Sequence, residues 1–212
     1  MAQKQKFLSL WLCGSITLIF LLQLLIPSFT DPFILNDRAA NGEFWRFLTA
    51  IFLHGDITHL LYNMFALFFF GLFLEKYIGS RKFLILFLAS GIIANVVAVN
   101  FYDSSLGASG AIYGVIGALT IIQPSLLVFA FGLPMPIIIA SGLWIAGDVL
   151  RTFGAFGDTN IGTIAHLSGI VIGFIYGFML RRKLKISHQN NYVQKIDDKL
   201  MRQWEDDFMK RV

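Results

Sequence analysis

Gly107-Ala108-Ser109-Gly110-Ala111-Ile112-Tyr113-Gly114 sets a hydroxyl between glycines at the entry to an apolar helix. The apolar run that begins at Ser109 ends near Gln123-Pro124, which is short for a segment that crosses a bilayer of roughly 20 residues' thickness. A short helix starts below the membrane surface, with residues 102–108 dipping down to meet it. The fold therefore turns on whether the rest of the chain is a membrane bundle into which this serine is sunk.

Composition says that it is. The chain has 212 residues, 56% hydrophobic and 15% aromatic, with only 14% charged and a mean hydropathy of +0.68. Soluble domains carry about 25% charged residues. Residues 181–212 hold nine Lys/Arg and five Asp/Glu, so the whole net charge of +4 sits there and residues 1–180 sum to zero. A basic balance confined to a tail points to an acidic lipid surface and not to nucleic acid. Cys13 is the one cysteine, so no intrachain disulfide forms, and its place in an apolar helix reads as a packed thiol.

Six apolar segments are predicted. The first covers residues 7–26, too long for a signal-peptide core of roughly 7–15 residues and followed by Pro27 without an Ala-x-Ala site. A connector over residues 28–57 contains an amphipathic, aromatic stretch, residues 43–53, that suits a short helix in the headgroup region with Trp45 as interfacial anchor. The second span covers residues 58–74 and ends at Glu75-Lys76, and the third covers residues 83–101. The fourth starts at Ser109. Pro134 and Pro136 exclude a continuous helix beyond it, so residues 126–133 read as a short hydrophobic connector before a fifth span over residues 136–150. The sixth covers residues 161–180 and stops at Arg181-Arg182-Lys183.

Charge fixes orientation. Lys4, Lys6, Arg81, Lys82, Arg181, Arg182, Lys183 and Lys185 fall on one side of this arrangement, whereas Asp31, Asp37, Asp103 and Asp158 fall on the other. The positive-inside rule puts both termini in the cytosol, in agreement with an even number of spans. The expected fold is an all-α membrane protein, a six-helix membrane domain over residues 1–185 with a cytoplasmic tail over residues 186–212. In that tail Val193, Ile196, Leu200, Trp204 and Phe208 recur every three or four residues, either as an amphipathic helix on the inner leaflet or as a solvated appendage.

Polar residues inside spans are costly and mark function. Ser109 and His166 lie near the outer ends of the fourth and sixth spans, which run the same way, so the two meet at one depth. A neutral imidazole accepts a serine proton and returns it to a leaving amine. Neither Asp148, near the outer end of span five, nor Asp158, in the connector, has a spacing that ties it to His166, so the expectation is a Ser–His dyad. Tyr113 lies one turn beyond Ser109 on the same face, placed either to stack on the imidazole or simply to pack. Gly162, His166, Gly169 and Gly173 share one side of the sixth helix, and Gly110, Gly114 and Gly117 one side of the fourth; such small faces let helices approach closely.

Acyl transfer needs donors for a developing oxyanion. His59 and Asn63 are spaced i, i+4 on one face of the second span, and the Ser109 N–H at a helix N-terminus adds a third donor. His54, just outside the membrane, reads as loop or water support. Neither a His-Glu-x-x-His metal motif nor a Gly-x-Ser-x-Gly elbow is present, so the expected site uses no metal and no cofactor.

These pieces in this order resemble the bacterial rhomboids, a family of intramembrane serine proteases. The resemblance is carried by Trp45-Arg46, His54-x4-His59-x3-Asn63, Glu75 with Gly79-Ser80, Gly107-Ala108-Ser109-Gly110 with Tyr113, and Gly162-x3-His166-x2-Gly169-x3-Gly173. It implies that Ser109 is the nucleophile and His166 the general base. It implies an oxyanion site of His59, Asn63 and the backbone N–H groups of Ala108 and Ser109. It also implies single-span membrane proteins as substrates, an active site opening to the outer face of the bacterial plasma membrane, and lateral entry gated by the fifth helix, which here carries Trp144. The alternatives are a catalytically silent rhomboid-like protein that binds membrane clients, against which both Ser109 and His166 stand, and a small transporter, whose inverted repeat is not visible.

Overall fold

A computed structural model describes residues 6–155 and 162–181. The helices are α1 (Leu8–Leu25), the short α2 (Arg46–Thr49), α3 (Ile57–Ile78), α4 (Ser80–Ala98), α5 (Ser109–Ile122), α6 (Ile137–Thr152) and α7 (Thr163–Arg181). The molecule is mostly helical. Two short antiparallel ribbons interrupt it, β1 (Leu35–Asn36) with β2 (Ser104–Ser105), and β3 (Leu127–Ala130) with β4 (Leu133–Pro136). The expected amphipathic tail, Asp158 and the basic residues after Arg181 lie outside the described residues.

Among the described residues four helices, α1, α3, α4 and α7, are long and apolar enough to cross a membrane, whereas α5 and α6 are shorter at 14 and 16 residues. The outer surface of these helices is apolar: Trp11, Leu24, Leu25, Phe65, Ile85 and Ile175 are all more than half or nearly half exposed. Apolar side chains exposed along helices of this length suit hydrocarbon as solvent, because a helix satisfies its interior backbone polar groups itself.

α5 is the central helix. Eleven of its residues are buried, and it packs between α4 and α7. The glycine faces allow this. A Cβ added at Gly114 would lie 2.1 Å from the Ser90 hydroxyl of α4, and one at Gly173 would lie 2.1 Å from the Gly114 carbonyl oxygen. Backbone touches backbone here, which is how helices associate when lipid supplies no hydrophobic drive between them.

Three boundaries differ from the sequence expectations. α3 does not stop at Glu75-Lys76 but continues to Ile78, through a π-helical turn at Leu67–Gly71. The charge of Glu75 is held inside the bundle, where it is 1% exposed. Its carboxylate accepts hydrogen bonds from the backbone N–H groups of Leu8 and Ser9, at 2.8 and 2.9 Å, and from the hydroxyls of Ser9 and Ser80, at 2.9 and 2.6 Å. It therefore caps the N-terminus of α1 in place of a local side chain, where orphan N–H groups and the helix dipole both favour an anion. Replacing Glu75 with Gln points an amide at donors and is expected to lower unfolding stability by about 2–3 kcal/mol; thermal unfolding in detergent followed by tryptophan fluorescence checks it.

The third span is shifted toward the N-terminus, Ser80–Ala98 instead of residues 83–101. The hydrophobic connector after α5 is an ordered hairpin, β3–β4, closed by Phe131 and Gly132 with φ of 54° and 80°. Two successive left-handed residues make the turn whose twist matches paired strands. Pro134 and Pro136, which exclude a helix, are accommodated in the edge strand.

The first connector positions the serine. Buried Arg46 pairs with Glu43 and donates to the carbonyls of Asp31 and Ile34, both at 2.7 Å, while the Trp45 indole donates to the Pro32 carbonyl. β1 then pairs with β2, just upstream of Gly107, and the Gly107 N–H donates to the Ala50 carbonyl at 2.9 Å. The segment that leads into Ser109 is thus fastened to the connector on two sides.

Candidate active site

A cavity of about 1630 Å³ opens among α3, α5, α6 and α7. Ser109, at the first position of α5, and His166, one turn into α7, meet in its wall: the Ser109 hydroxyl lies 2.8 Å from His166 Nε2. The approach of the two helices sets that distance. A Cβ at Gly169, one turn beyond His166, would lie 2.0 Å from the Gly110 carbonyl oxygen, so no larger residue keeps the helices this close.

The Tyr113 ring stacks on the imidazole, with centroids 4.3 Å apart and planes 13° from parallel. On the opposite ring nitrogen, His166 Nδ1 lies 3.0 Å from the Asp148 carboxylate. The expectation that no acid reaches His166 is therefore corrected. Asp148 is 3% exposed in the last turns of α6. The end of α6 is drawn to the start of α7 by the Thr152 and Thr163 hydroxyls, 2.8 Å apart. The available signal in the sequence was a lone carboxylate within an otherwise apolar helix.

His59 and Asn63 also line the cavity from α3. The α3 N-terminus is capped by the Asp56 carboxylate, which accepts from the His59 N–H at 2.8 Å. The His59 ring lies against Gly107: a Cβ there would sit 2.7 Å from the ring, and the φ of +125° also demands glycine. The histidine is thereby placed directly under the turn that delivers Ser109. One N–H of the Asn63 side chain is bonded to the His59 carbonyl at 2.9 Å, leaving its second N–H for the cavity.

Ala108 is fully buried behind the serine, so what it presents to the site is backbone only. The first-turn N–H groups of α5 have no intrahelical acceptors by helix geometry. His54 is not in the cavity wall. It is 2% exposed and packs edge-on against the His59 ring with centroids 5.0 Å apart. Neither of its ring nitrogens has a partner at hydrogen-bond geometry among the described residues, although the Phe52 carbonyl is near. Burial, reinforced by the neighbouring His59, pushes its pKa down to about 4, so at neutral pH it supports His59 as an uncharged ring.

Chemically, the arrangement offers a hydroxyl on a basic nitrogen, that ring fixed from two directions, and donors on the adjoining wall. Trp144 of α6 lines the same cavity and packs against Phe70 of α3 and Phe131 at the hairpin tip, at 5.9 and 6.1 Å between centroids. An aromatic cluster thus bridges α3, α6 and the hairpin tip.

The chain is similar to proteins of one family. The model of the Rhomboid domain matches residues 41–183. The putative rhomboid protease YdcA of Bacillus subtilis is 34% identical over 151 residues, 70% of this chain and 73% of that protein. Rhomboid protease GluP of the same organism is 37% identical over 143 residues, 66% of this chain but only 26% of its own length. Rhomboid protease GlpG of Haemophilus influenzae is 31% identical over 142 residues, 66% of this chain and 71% of that protein.

Proposed function

This chain belongs to the rhomboid family of integral membrane proteins, and from that premise we propose that it is an intramembrane serine endopeptidase. The observation that carries the reading is the 2.8 Å contact between the Ser109 hydroxyl and His166 Nε2 in the wall of the cavity among α3, α5, α6 and α7. In this reading six helices, α1 and α3 to α7, cross the bilayer, both termini are cytoplasmic, and the site opens to the outer side of a bacterial plasma membrane. Substrates are single-span membrane proteins, entering from lipid past Trp144, and no cofactor takes part.

Ser109 Oγ attacks the scissile carbonyl carbon while its proton passes to His166 Nε2. The oxyanion of the tetrahedral intermediate is held by His59, Asn63 and the N–H groups of Ala108 and Ser109; one such donor is typically worth about 3–4 kcal/mol in the transition state. The intermediate collapses as the C–N bond breaks, and His166 gives its proton to the leaving amine. Water then attacks the acyl ester with His166 again as base, which releases the acid and restores Ser109. An intact transmembrane helix resists such attack because its amides are tied up internally, so a polar cavity into which it unwinds is what the reaction requires.

A fluorophosphonate probe tests the reading in detergent. The wild-type protein is expected to be labelled and Ser109→Ala to be silent. A folded wild type that stays unlabelled and leaves single-span reporters uncut sinks the enzymatic reading in favour of client binding.

A further inference from the structure

We propose that Asp148 is the positioning residue of this site, so that Ser109 and His166 work as part of a Ser–His–Asp relay and not as an isolated pair. The inference rests on the proteolytic reading above and deepens it.

The chemistry requires a particular tautomer. For His166 Nε2 to take the Ser109 proton, its lone pair must face the hydroxyl, so the ring's own proton must reside on Nδ1. A neutral imidazole chooses between its nitrogens according to the hydrogen bond each makes. The Asp148 carboxylate, 3.0 Å from Nδ1, accepts only, and it therefore holds the proton there. It also offsets the positive charge that the ring acquires when it takes the serine proton. Both effects are strengthened by the burial of Asp148, which is 3% exposed.

The carboxylate is itself held. It lies on α6, whose end is fastened to the start of α7 through Thr152 and Thr163. The Tyr113 hydroxyl lies near the carboxylate, and Arg151 lies near enough to Tyr113 for its charge to be felt there. Tyr113 thus adjoins both residues, its ring stacked on His166 and its hydroxyl near Asp148. At contact distance, 3.0 Å, the carboxylate of Asp148 pairs with His166 Nδ1. A carboxylate buried within an apolar helix is costly unless it is so employed. In the purely structural alternative Asp148 only ties α6 to α7 through the His166 ring, without setting its tautomer.

The test combines kinetics with the nitrogen spectrum of histidine-labelled protein in micelles, His166 being assigned by its loss in His166→Gln. Asp148→Asn preserves shape but turns an N–H toward Nδ1 and moves the ring proton to Nε2. The expected result is a kcat on a single-span reporter lower by about 10³–10⁴-fold with KM nearly unchanged, fluorophosphonate labelling slowed in parallel, and the Nδ1–H tautomer of the wild type replaced by Nε2–H. A variant within about threefold of wild type, or one that is inactive with an unchanged tautomer, overturns the inference and leaves the Ser109–His166 assignment standing. If Asp148→Asn does not fold, the wild-type spectrum decides alone: a proton on Nε2 rejects the relay. A wild type that neither labels nor cleaves fails the proteolytic reading instead, and its tautomer still reports whether Asp148 sets the ring.

Discussion

Replacing His166 with Ala is expected to lower turnover of a single-span reporter by about a millionfold while the protein keeps its fold. The size of the effect follows from the site's economy of parts. The Ser109 hydroxyl is a poor nucleophile without an acceptor, and the acceptor 2.8 Å away is the His166 ring. Groups that act as one unit are non-additive: in a soluble serine protease, loss of either the serine or the histidine costs about 10⁶ in kcat, about as much as removing the whole triad. The double substitution Ser109→Ala with His166→Ala should therefore be no slower than either single one. Folding should survive, because the helix contact beside His166 is made by glycines and backbone, not by the imidazole. Turnover in detergent, measured with thermal unfolding on the same samples, decides the matter. Residual activity within tenfold of wild type would show that some other base serves Ser109.

What was legible in the sequence and what was not divides along physical lines. Serine at a glycine-flanked helix start, histidine one turn into another helix and the rows of glycine around both were legible, because helical periodicity alone puts them on facing surfaces. Asp148 was not. Its reach to His166 depends on how α6 is rotated and how far its end is drawn toward α7, across a connector that imposes no periodicity. Charge misled at Glu75: an acid in an apolar run reads as a helix end, but its partners are N–H groups and hydroxyls of α1, 66 and 67 residues away, and of Ser80. At residues 127–136 the prolines correctly excluded a helix, yet the left-handed pair Phe131 and Gly132 that closes a hairpin has no strong signature when its first residue is aromatic. The crossing of the membrane by the two short helices stays part of the functional reading, since among the described residues length and composition select four others.

The glycine contact carries the second large effect. Gly169→Ala adds one methyl group, and that methyl would lie 2.0 Å from the Gly110 carbonyl oxygen and 2.9 Å from its carbonyl carbon. A carbon–oxygen contact relaxes to about 3.3 Å or more, so α5 and α7 must part by about 1 Å. A flexible side chain would swing aside, but this oxygen belongs to the backbone of α5 and moves only with the helix that carries Ser109. The separation opens the Ser109–His166 hydrogen bond, whose useful range ends near 3.2 Å. A misplacement of that size costs about 10²-fold in rate, and overpacking removes about 1–3 kcal/mol of stability. The control is Gly142→Ala on α6, where an added Cβ would meet nothing within 4 Å and activity should stay near wild type. Turnover and thermal unfolding of the pair separate the two consequences. Full activity in Gly169→Ala would mean that the alignment of hydroxyl and imidazole does not depend on helix contact, and the account of why glycine lines both helices would fail with it.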